Sequence, residues 1–253
     1  HMNFNLSDEQ KMIYEYGQSL AKDFDRKYWS ECAERKAFPT EMYQKVADDG
    51  FVGIMVPEAY GGSGLGMFEM VLFQEGLSNM GIPLLSLVVG ATMSLSPIGD
   101  HGTEEQKQKY LPAGCTGDLR FCFAITEPDA GTNTMKTSTM IKATGNGGYR
   151  LNGRKTFITD AKESDYMLVV TRNKSLDEVE RKTDGFTIVI VDTKAKGVEM
   201  HPIDVSIPMP ECQYQVFFDD VEIASENILG EVGRGFDILF ESLNPERIIL
   251  AAV

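Results

Sequence analysis

Two segments of the chain carry side chains suited to holding a planar heterocycle. The first has a strand pattern that ends in a corner, and its candidate residues are Phe123, Ala124, Ile125, Thr126, Glu127, Pro128, Asp129, Ala130, Gly131 and Thr132. Pro128 ends strand pairing because it has no backbone N–H, and Gly131 lets the backbone approach a ligand. The Thr126 and Thr132 hydroxyls can donate and accept hydrogen bonds at the edge of a ring. Taken alone, such a corner is more often an ordinary turn.

The second segment, residues 152–161, lies about thirty positions downstream and reads as another strand. An aromatic residue and a hydroxyl stand near its end, and the candidate residues are Phe157, Ile158 and Thr159. Taken alone, this segment is also typical of a sheet core, with an aromatic packed inside and a threonine chosen for its β-propensity.

The elements before these segments read as helices. Capping-box patterns begin at Ser7 and Thr103, each with a glutamine three residues later. The helical stripe of the first helix consists of Ile13, Tyr16, Gly17, Leu20 and Phe24. Further helices are predicted after Thr40, over residues 67–80, from Leu84, and in a short piece that ends at residues 111–112.

After Gly117 the hydrophobic period changes to two, which predicts strands. They cover residues 120–126, 138–144, 149–158, 166–171, 186–192 and 213–221. Residues 145–148, Gly-Asn-Gly-Gly, predict a tight hairpin turn because glycine and asparagine tolerate positive φ. The charged residues 174–184 lack periodicity, and we expect a mobile surface loop there.

A helix pattern resumes at Gly235 and runs into an apolar stretch that reaches Val253. A helix that stops within an apolar run has nothing left to pack against, so we expect a truncated chain. The predicted fold is α+β: an N-terminal all-α domain (residues 1–117), a middle all-β domain like an antiparallel barrel or sandwich (118–230), and the first helix of a C-terminal helical domain (231–253) whose remainder is absent.

Composition excludes several classes of function. The net charge is −14, with 24 Lys and Arg against 38 Asp and Glu, so a nucleic-acid-binding face is not expected. Four cysteines without a CxxC pair and three histidines argue against a metal site and favour free thiols. No run is long enough to span a bilayer, and no targeting segment is visible, since His1-Met2 reads as an expression scar. We therefore expect a cytoplasmic protein.

Taken together and in order, the motifs resemble those of the acyl-CoA dehydrogenase family of flavoproteins. Residues 57–62 match its "PEEYGG" element, 102–112 match "GTEEQKxxYLP", 123–132 match "TEPxAGS", and 152–159 match "NGxKxWIT". Residues 218–230 match "FxxVxVPxxNxLG", and Gly233-x-Gly235-Phe236 and Glu246-Arg247 follow. The resemblance covers essentially the whole chain.

The resemblance implies an FAD cofactor held by residues 123–132 and 157–159. Thr126 would contact the pyrimidine edge of the flavin, and Thr159 would hydrogen-bond its N5. Phe157 stands where the family usually has Trp, which keeps an aromatic wall but loses the indole N–H. Thr132 replaces the commoner Ser that also faces the acyl-CoA, and Asn133 stands where Asp is common.

The resemblance also implies the reaction, an α,β-dehydrogenation of an acyl-CoA thioester. A glutamate removes the α-proton while the β-hydrogen leaves as hydride to flavin N5. Most family members carry this base in the last helical domain, whereas a minority have it just before an Arg. That second arrangement makes Glu246 the candidate base, with Asn244, Pro245 and Arg247 near the substrate. Without the family, Glu246 would read as an acid in the first turn of a helix begun by Pro245.

Partners and alternatives follow from the same resemblance. We expect electron-transfer flavoprotein as the electron partner and a homotetramer or homodimer in the full-length form. A non-redox binding module with this fold remains an alternative, as does an oxygen-using relative such as an acyl-CoA oxidase or flavin monooxygenase. The sequence leaves acyl-chain length, branching and the physiological direction open.

Overall fold

The computed structural model describes residues 5–253, so the proposed scar at His1-Met2 lies outside the described residues. The first half is helical, as predicted. Its helices are α1 (Asp8–Ser19), α2 (Arg26–Glu34), α3 (Thr40–Asp48), α4 (Met67–Asn79), a π-helical segment (Leu87–Leu95), α5 (Ser96–His101) and α6 (Glu104–Thr116). Both predicted capping boxes are confirmed, since Ser7 and Thr103 each exchange hydrogen bonds with the glutamine three residues later.

Helices α1 and α4 approach each other closely at two glycines. A Cβ atom on Gly17 would lie 2.6 Å from the carbonyl oxygen of Phe73. A Cβ on Gly76 would likewise clash with the carbonyl oxygen of Tyr14. The small residue in the predicted stripe of α1 is therefore a packing requirement of this helix pair.

Helix α6 does not end at Pro112 as the sequence predicted. It continues to Thr116 and ends at Gly117, which adopts a left-handed φ of 80°. A proline inside a helix removes one backbone hydrogen bond. Here the turn after it buries Gly114 and Cys115, so tertiary packing outweighs the local penalty.

The second half forms one open, mixed sheet. Its strands are β1 (Phe121–Ala124), β2 (Met140–Ala143), β3 (Tyr149–Thr159), β4 (Tyr166–Arg172), β5 (Phe186–Asp192), β6 (Val198–Ile203), β7 (Gln213–Ile223) and β8 (Ile228–Leu229). The order is β6-β7-β3-β2-β4-β5-β8, and β1 pairs with β4 off this path. Most neighbours are antiparallel, but β1 and β2 each pair with β4 in parallel. The sheet is not closed into a barrel.

Alternate residues of β1, β4 and β5 face two different cores. One face, with Phe123, Leu168 and Ile190, belongs to the core shared with the helices. The opposite face, with Ala124, Val169 and Val191, packs into a second core with β3 and β7. This alternation explains the hydrophobic period of two in the sequence. Because its two faces belong to different cores, β1 lies between the helices and β3.

Two strands were missed by the sequence analysis. Strand β6 lies at an edge and has no fully buried residue, whereas β8 has only two residues. Both owe their conformation to pairing with β7 and β5 and not to a local pattern. The predicted hairpin turn is confirmed, because β2 and β3 pair antiparallel directly across residues 145–148.

Helix α7 (Gly235–Leu250) completes the described fold and packs against the π-helical segment, α4, α5 and β5. It leaves large apolar side chains exposed, namely Phe240, Ile248 and Leu250. None of the helices within residues 5–253 is long and apolar enough to cross a membrane.

Substituting Gly17 by Ala tests the α1–α4 contact. We expect a loss of about 1–3 kcal/mol in the free energy of unfolding, because the new methyl group meets a backbone oxygen that cannot rotate away. Urea unfolding measures the change. Gly131→Ala is the control, since a Cβ there meets nothing within 4 Å. Equal stabilities of the two variants would contradict the proposed contact.

Candidate functional site

A buried ion pair fixes the corner that follows β1. The Lys155 Nζ atom of β3 lies 2.9 Å from Glu127 Oε1, and the two side chains are 0% and 3% exposed. Lys155 also donates to the carbonyl oxygen of Ile125, at 2.9 Å. The same carboxyl group accepts hydrogen bonds from the backbone N–H of Ser138 and of Thr139. Glu127 therefore joins the corner to β3 and to the two residues that directly precede β2.

Each charge of this pair shifts the pKa of its partner toward the ionised form: Lys155 lowers the pKa of Glu127, and Glu127 raises the pKa of Lys155. Burial alone would raise the pKa of Glu127, but the Lys155 ammonium and the hydrogen bonds it accepts outweigh burial and lower the pKa to about 2. Burial lowers the pKa of Lys155 to about 8 despite the favourable charge of Glu127. We take the pair as ionised at neutral pH, because every oxygen of the carboxylate has a donor.

The predicted corner residues divide into buried, half-buried and exposed ones. Phe123, Ala124, Glu127 and Ala130 are buried, whereas Ile125 and Thr126 are half-buried. Glu127 and Ala130 close the turn by exchanging backbone hydrogen bonds of 3.1 Å each. The exposed set, which presents the surface of the corner, is Pro128, Asp129, Gly131 and Thr132.

Strand β3 is irregular at the second predicted segment. Its register with β7 shifts between Lys155 and Ile158, which marks a β-bulge. At this bulge Phe157 has a φ of 55° and remains 56% exposed, whereas Ile158 and Thr159 are buried. A left-handed conformation costs a residue with a Cβ about 1–2 kcal/mol. The bulge thus turns an aromatic ring outward from a strand that otherwise packs into a core.

Thr159 is paired with Gln213, a residue that the sequence analysis missed. The amide nitrogen of Gln213 lies 2.9 Å from the Thr159 hydroxyl oxygen. The carbonyl oxygen of that amide lies 3.0 Å from the same hydroxyl. Gln213 begins β7, directly opposite Thr159 in the antiparallel register. No motif marks Gln213, and only strand pairing reveals its role in orienting this hydroxyl.

The third group of predicted residues lies on α7. The helix predicted from Gly235 is confirmed, and it runs through Pro245, so the alternative in which Pro245 begins a helix is wrong. Glu246 is thus an interior helix residue without the N-terminal dipole to favour its charge. Burial raises the pKa of Glu246, and the adjacent Arg247 only partly offsets this. Arg247 donates to the side-chain oxygen of Asn244, at 3.3 Å.

The corner and the bulge are joined directly, because the backbone N–H of Thr156 donates to the carbonyl oxygen of Thr126, at 2.9 Å. Phe157 offers an exposed aromatic face, and the corner offers the exposed hydroxyl of Thr132 beside open space at Gly131. Glu246 lies on a separate element, helix α7, which packs against the π-helical segment, α4, α5 and β5. Within residues 5–253, no group of three or more His, Cys, Asp or Glu side chains is arranged to hold a metal ion.

Two family models match this arrangement of helices followed by a sheet. The acyl-CoA dehydrogenase N-terminal domain matches residues 7–118, and the acyl-CoA dehydrogenase middle domain matches residues 122–221. The chain belongs to the acyl-CoA dehydrogenase family. The resemblance inferred from the motifs is therefore confirmed, and the buried corner and bulge lie within the matched middle domain.

Individual relatives agree over nearly the whole chain. Acyl-CoA dehydrogenase FadE12 of Mycobacterium tuberculosis is 34% identical over 252 residues, which are 99% of this chain and 63% of the relative. A caffeyl-CoA reductase–Etf complex subunit, CarC of Acetobacterium woodii, is 33% identical over 98% of this chain and 65% of its own length. The structure of PigA with FAD and proline superposes with a TM-score of 0.90 at 28% identity, over 99% of this chain and 65% of that one. This chain thus spans slightly less than two thirds of these relatives.

Replacing Lys155 by Met tests whether the buried pair holds the corner. Leaving Glu127 buried without its cation should cost about 3–5 kcal/mol of unfolding free energy. The neighbouring Arg154→Met is the control, because Arg154 is exposed and its nearest carboxylate oxygen, on Asp129, is 3.9 Å away. That change should cost only about 0–1 kcal/mol. Chemical denaturation of both variants measures the difference, and equal losses would contradict the role of the pair.

Proposed function

We propose that this chain forms the flavin-binding and acyl-CoA-binding part of an FAD-dependent acyl-CoA dehydrogenase. The single observation that carries this proposal is the corner pinned by Glu127 and Lys155 beside a bulge that exposes Phe157 and orients Thr159. Membership of the acyl-CoA dehydrogenase family supplies the reaction class. The FAD-bound structure of PigA supports the choice of cofactor.

The chain's residues would hold the flavin by its edges and face. In this proposal residues 123–132 hold the ring edge and pyrophosphate, with Thr126 at the pyrimidine edge, and Phe157 and Ile158 lie along the ring. The Thr159 hydroxyl accepts from the side-chain amide of Gln213, which leaves its one proton to donate to N5. Because Gln213 already restrains the hydroxyl, little conformational entropy is lost when that hydrogen bond forms. Bound FAD supplies the acceptor for the β-hydrogen, which leaves the substrate as a hydride.

Proton removal falls to Glu246 in this proposal. A partly buried carboxylate with a raised pKa is a stronger base than an exposed one, which suits an α-proton of moderate acidity. Arg247 and Asn244 are hydrogen-bonded to each other on the same helix. In this proposal both contact the acyl-CoA. Thr132 faces the thioester from the corner, and Pro245 shapes the helix surface between these groups.

Partners of the whole protein are part of the same proposal. CarC is a subunit of a caffeyl-CoA reductase–Etf complex, which supports electron-transfer flavoprotein as the electron partner here and keeps reduction open as the physiological direction. We further propose a homodimer or homotetramer for the complete enzyme. Its exposed apolar residues on α7, Phe240 among them, are consistent with burial in an assembly.

Anaerobic mixing of the flavin-loaded protein with butyryl-, octanoyl- and palmitoyl-CoA tests this proposal. Bleaching of the flavin followed by slow reoxidation in air is the expected result. Rapid reoxidation with peroxide would instead identify an oxygen-using relative. No bleaching with any acyl-CoA, by a protein that holds FAD, would identify a binding module and overturn the proposed activity.

Thr159→Ala should change the absorption spectrum of the bound flavin and slow its reduction. The lost hydrogen bond corresponds to about 1–3 kcal/mol, since a polar edge of the flavin is left without its donor. Stopped-flow reduction measures the rate. Thr144→Ala, in the exposed hairpin turn, is the matched control. An unchanged rate and spectrum would remove Thr159 from the site.

Glu246→Gln should abolish flavin reduction while acyl-CoA binding remains nearly intact. The amide keeps the size and one acceptor of the carboxyl group but cannot take a proton. Reduction by acyl-CoA and equilibrium binding are measured on the same flavin-loaded protein. Glu241→Gln, on the same helix but exposed and paired with His101, serves as the control. Near-normal reduction in the Glu246 variant would assign the base to another residue.

A further inference from the structure

Asp160 follows Thr159 directly and has no partner for its charge. The residue is 3% exposed, and neither of its carboxyl oxygens has a hydrogen-bond partner. Its backbone is nevertheless fixed on both sides: the N–H donates to the carbonyl oxygen of Cys212, and the carbonyl accepts from the Ser164 hydroxyl. Its φ of 59° is left-handed, a conformation that Asp and Asn tolerate better than most residues.

Two further carboxyl groups influence Asp160 at the junction of helices and sheet. Glu211 is 3% exposed and accepts a hydrogen bond of 3.1 Å from the backbone N–H of Ser86. Ser86 directly precedes the π-helical segment. Glu163 accepts from the hydroxyl of Tyr214, at 2.7 Å. Glu163 and Glu211 each retain one buried oxygen without a partner. We call Asp160, Glu163 and Glu211 the junction acids.

The surroundings favour an uncharged Asp160. Burial raises the pKa of Asp160 well above its ordinary value, Glu211 and Glu163 raise it further, and Arg120 only partly opposes them. A buried carboxylate without donors would be strongly destabilising, so the geometry alone requires the neutral acid. The titratable and charged groups that interact with it electrostatically are Tyr43 of α3, Arg120 before β1, Cys122 of β1, Glu163, Glu211, Cys212 and Tyr214 of β7.

We propose that Asp160, in its uncharged form, is a positioning residue for Thr159. FAD binding then weakens as Asp160 ionises with rising pH. This inference rests on the proposed function, because it takes Thr159 as a flavin contact. An ionised Asp160 would repel the other junction acids and demand water. The local opening would separate the ends of β3 and β7, where Thr159 meets Gln213.

The direction of the pH effect follows from linkage. A carboxyl group whose pKa is raised by folding stabilises the ordered state fully at low pH, and that stability is lost as pH rises toward the raised pKa. Burial also raises the pKa values of Tyr43, Cys122 and Tyr214, which keeps these three groups neutral in the same range. The pKa of Glu127, about 2, lies below that range, but the pKa of Lys155, about 8, lies within its upper end. The comparison is therefore made below about pH 7, where Lys155 keeps its charge.

The experiment measures the FAD dissociation constant of the 253-residue chain by flavin fluorescence between about pH 5.5 and pH 7, where an ordinary aspartate is ionised throughout. For the unmodified chain we expect the constant to rise toward high pH, with a slope of up to about tenfold per pH unit. Asp160→Asn should remove most of this slope and keep the tight, low-pH value, and burial of Glu211, which also raises the pKa of that acid, accounts for any remaining slope. The matched control is Asp220→Asn, because Asp220 also has a left-handed φ, 52°, in the same sheet but is exposed.

The outcomes separate this inference from the proposed function. A flat profile for the unmodified chain, or the same slope in Asp160→Asn, overturns the role of Asp160 while FAD binding still supports the dehydrogenase. Failure to bind FAD at any pH overturns the proposed function and this inference with it. If Asp160→Asn does not fold, the pH profile of FAD binding by the unmodified chain tests the inference. The thermal unfolding midpoint of that chain without FAD should then also fall as pH rises.

Discussion

The buried ion pair between Glu127 and Lys155 is the constraint on which the arrangement of the candidate site depends. Desolvating two charges is costly, and the pair persists because nearly every donor and acceptor is used. Such a pair has little freedom to rearrange without leaving a charge unpaired. It therefore sets the separation of the corner from β3, which the weaker turn hydrogen bonds between Glu127 and Ala130 alone would not fix.

The rigidity of this corner supports strain nearby. Directly after Lys155, strand β3 bulges and places Phe157 in a left-handed conformation, and Asp160 adopts another. Strained backbone persists only where the surroundings over-determine it. Here Lys155 restrains one side of the bulge and the pairing with Gln213 restrains the other. The exposed aromatic ring and the oriented hydroxyl are thus two consequences of one irregular strand held at both ends.

Polar contacts also join the helices to the sheet. Gln106 closes the capping box of α6 and donates to the carbonyl oxygens of Glu226 and Ile228, each at 2.8 Å. Glu211 accepts from Ser86 at the start of a helix. These contacts are directional, so they fix how the layers meet in a way that apolar packing alone would not. The junction acids lie at this boundary, which is where protonation can affect both layers.

The sequence by itself determined most of the succession of helices and strands, although not α2, together with the capping boxes, the hairpin turn and the segments that carry the candidate site. These are local properties, set by hydrophobic period, capping residues and turn chemistry within a few positions. Only the tertiary structure decided that Glu127 faces Lys155, that Gln213 holds Thr159, that Pro112 lies inside a helix, and that β6 and β8 are strands. The physical reason is that ion pairing, strand pairing and burial join residues far apart in the chain, and their energies outweigh local propensity where the two disagree.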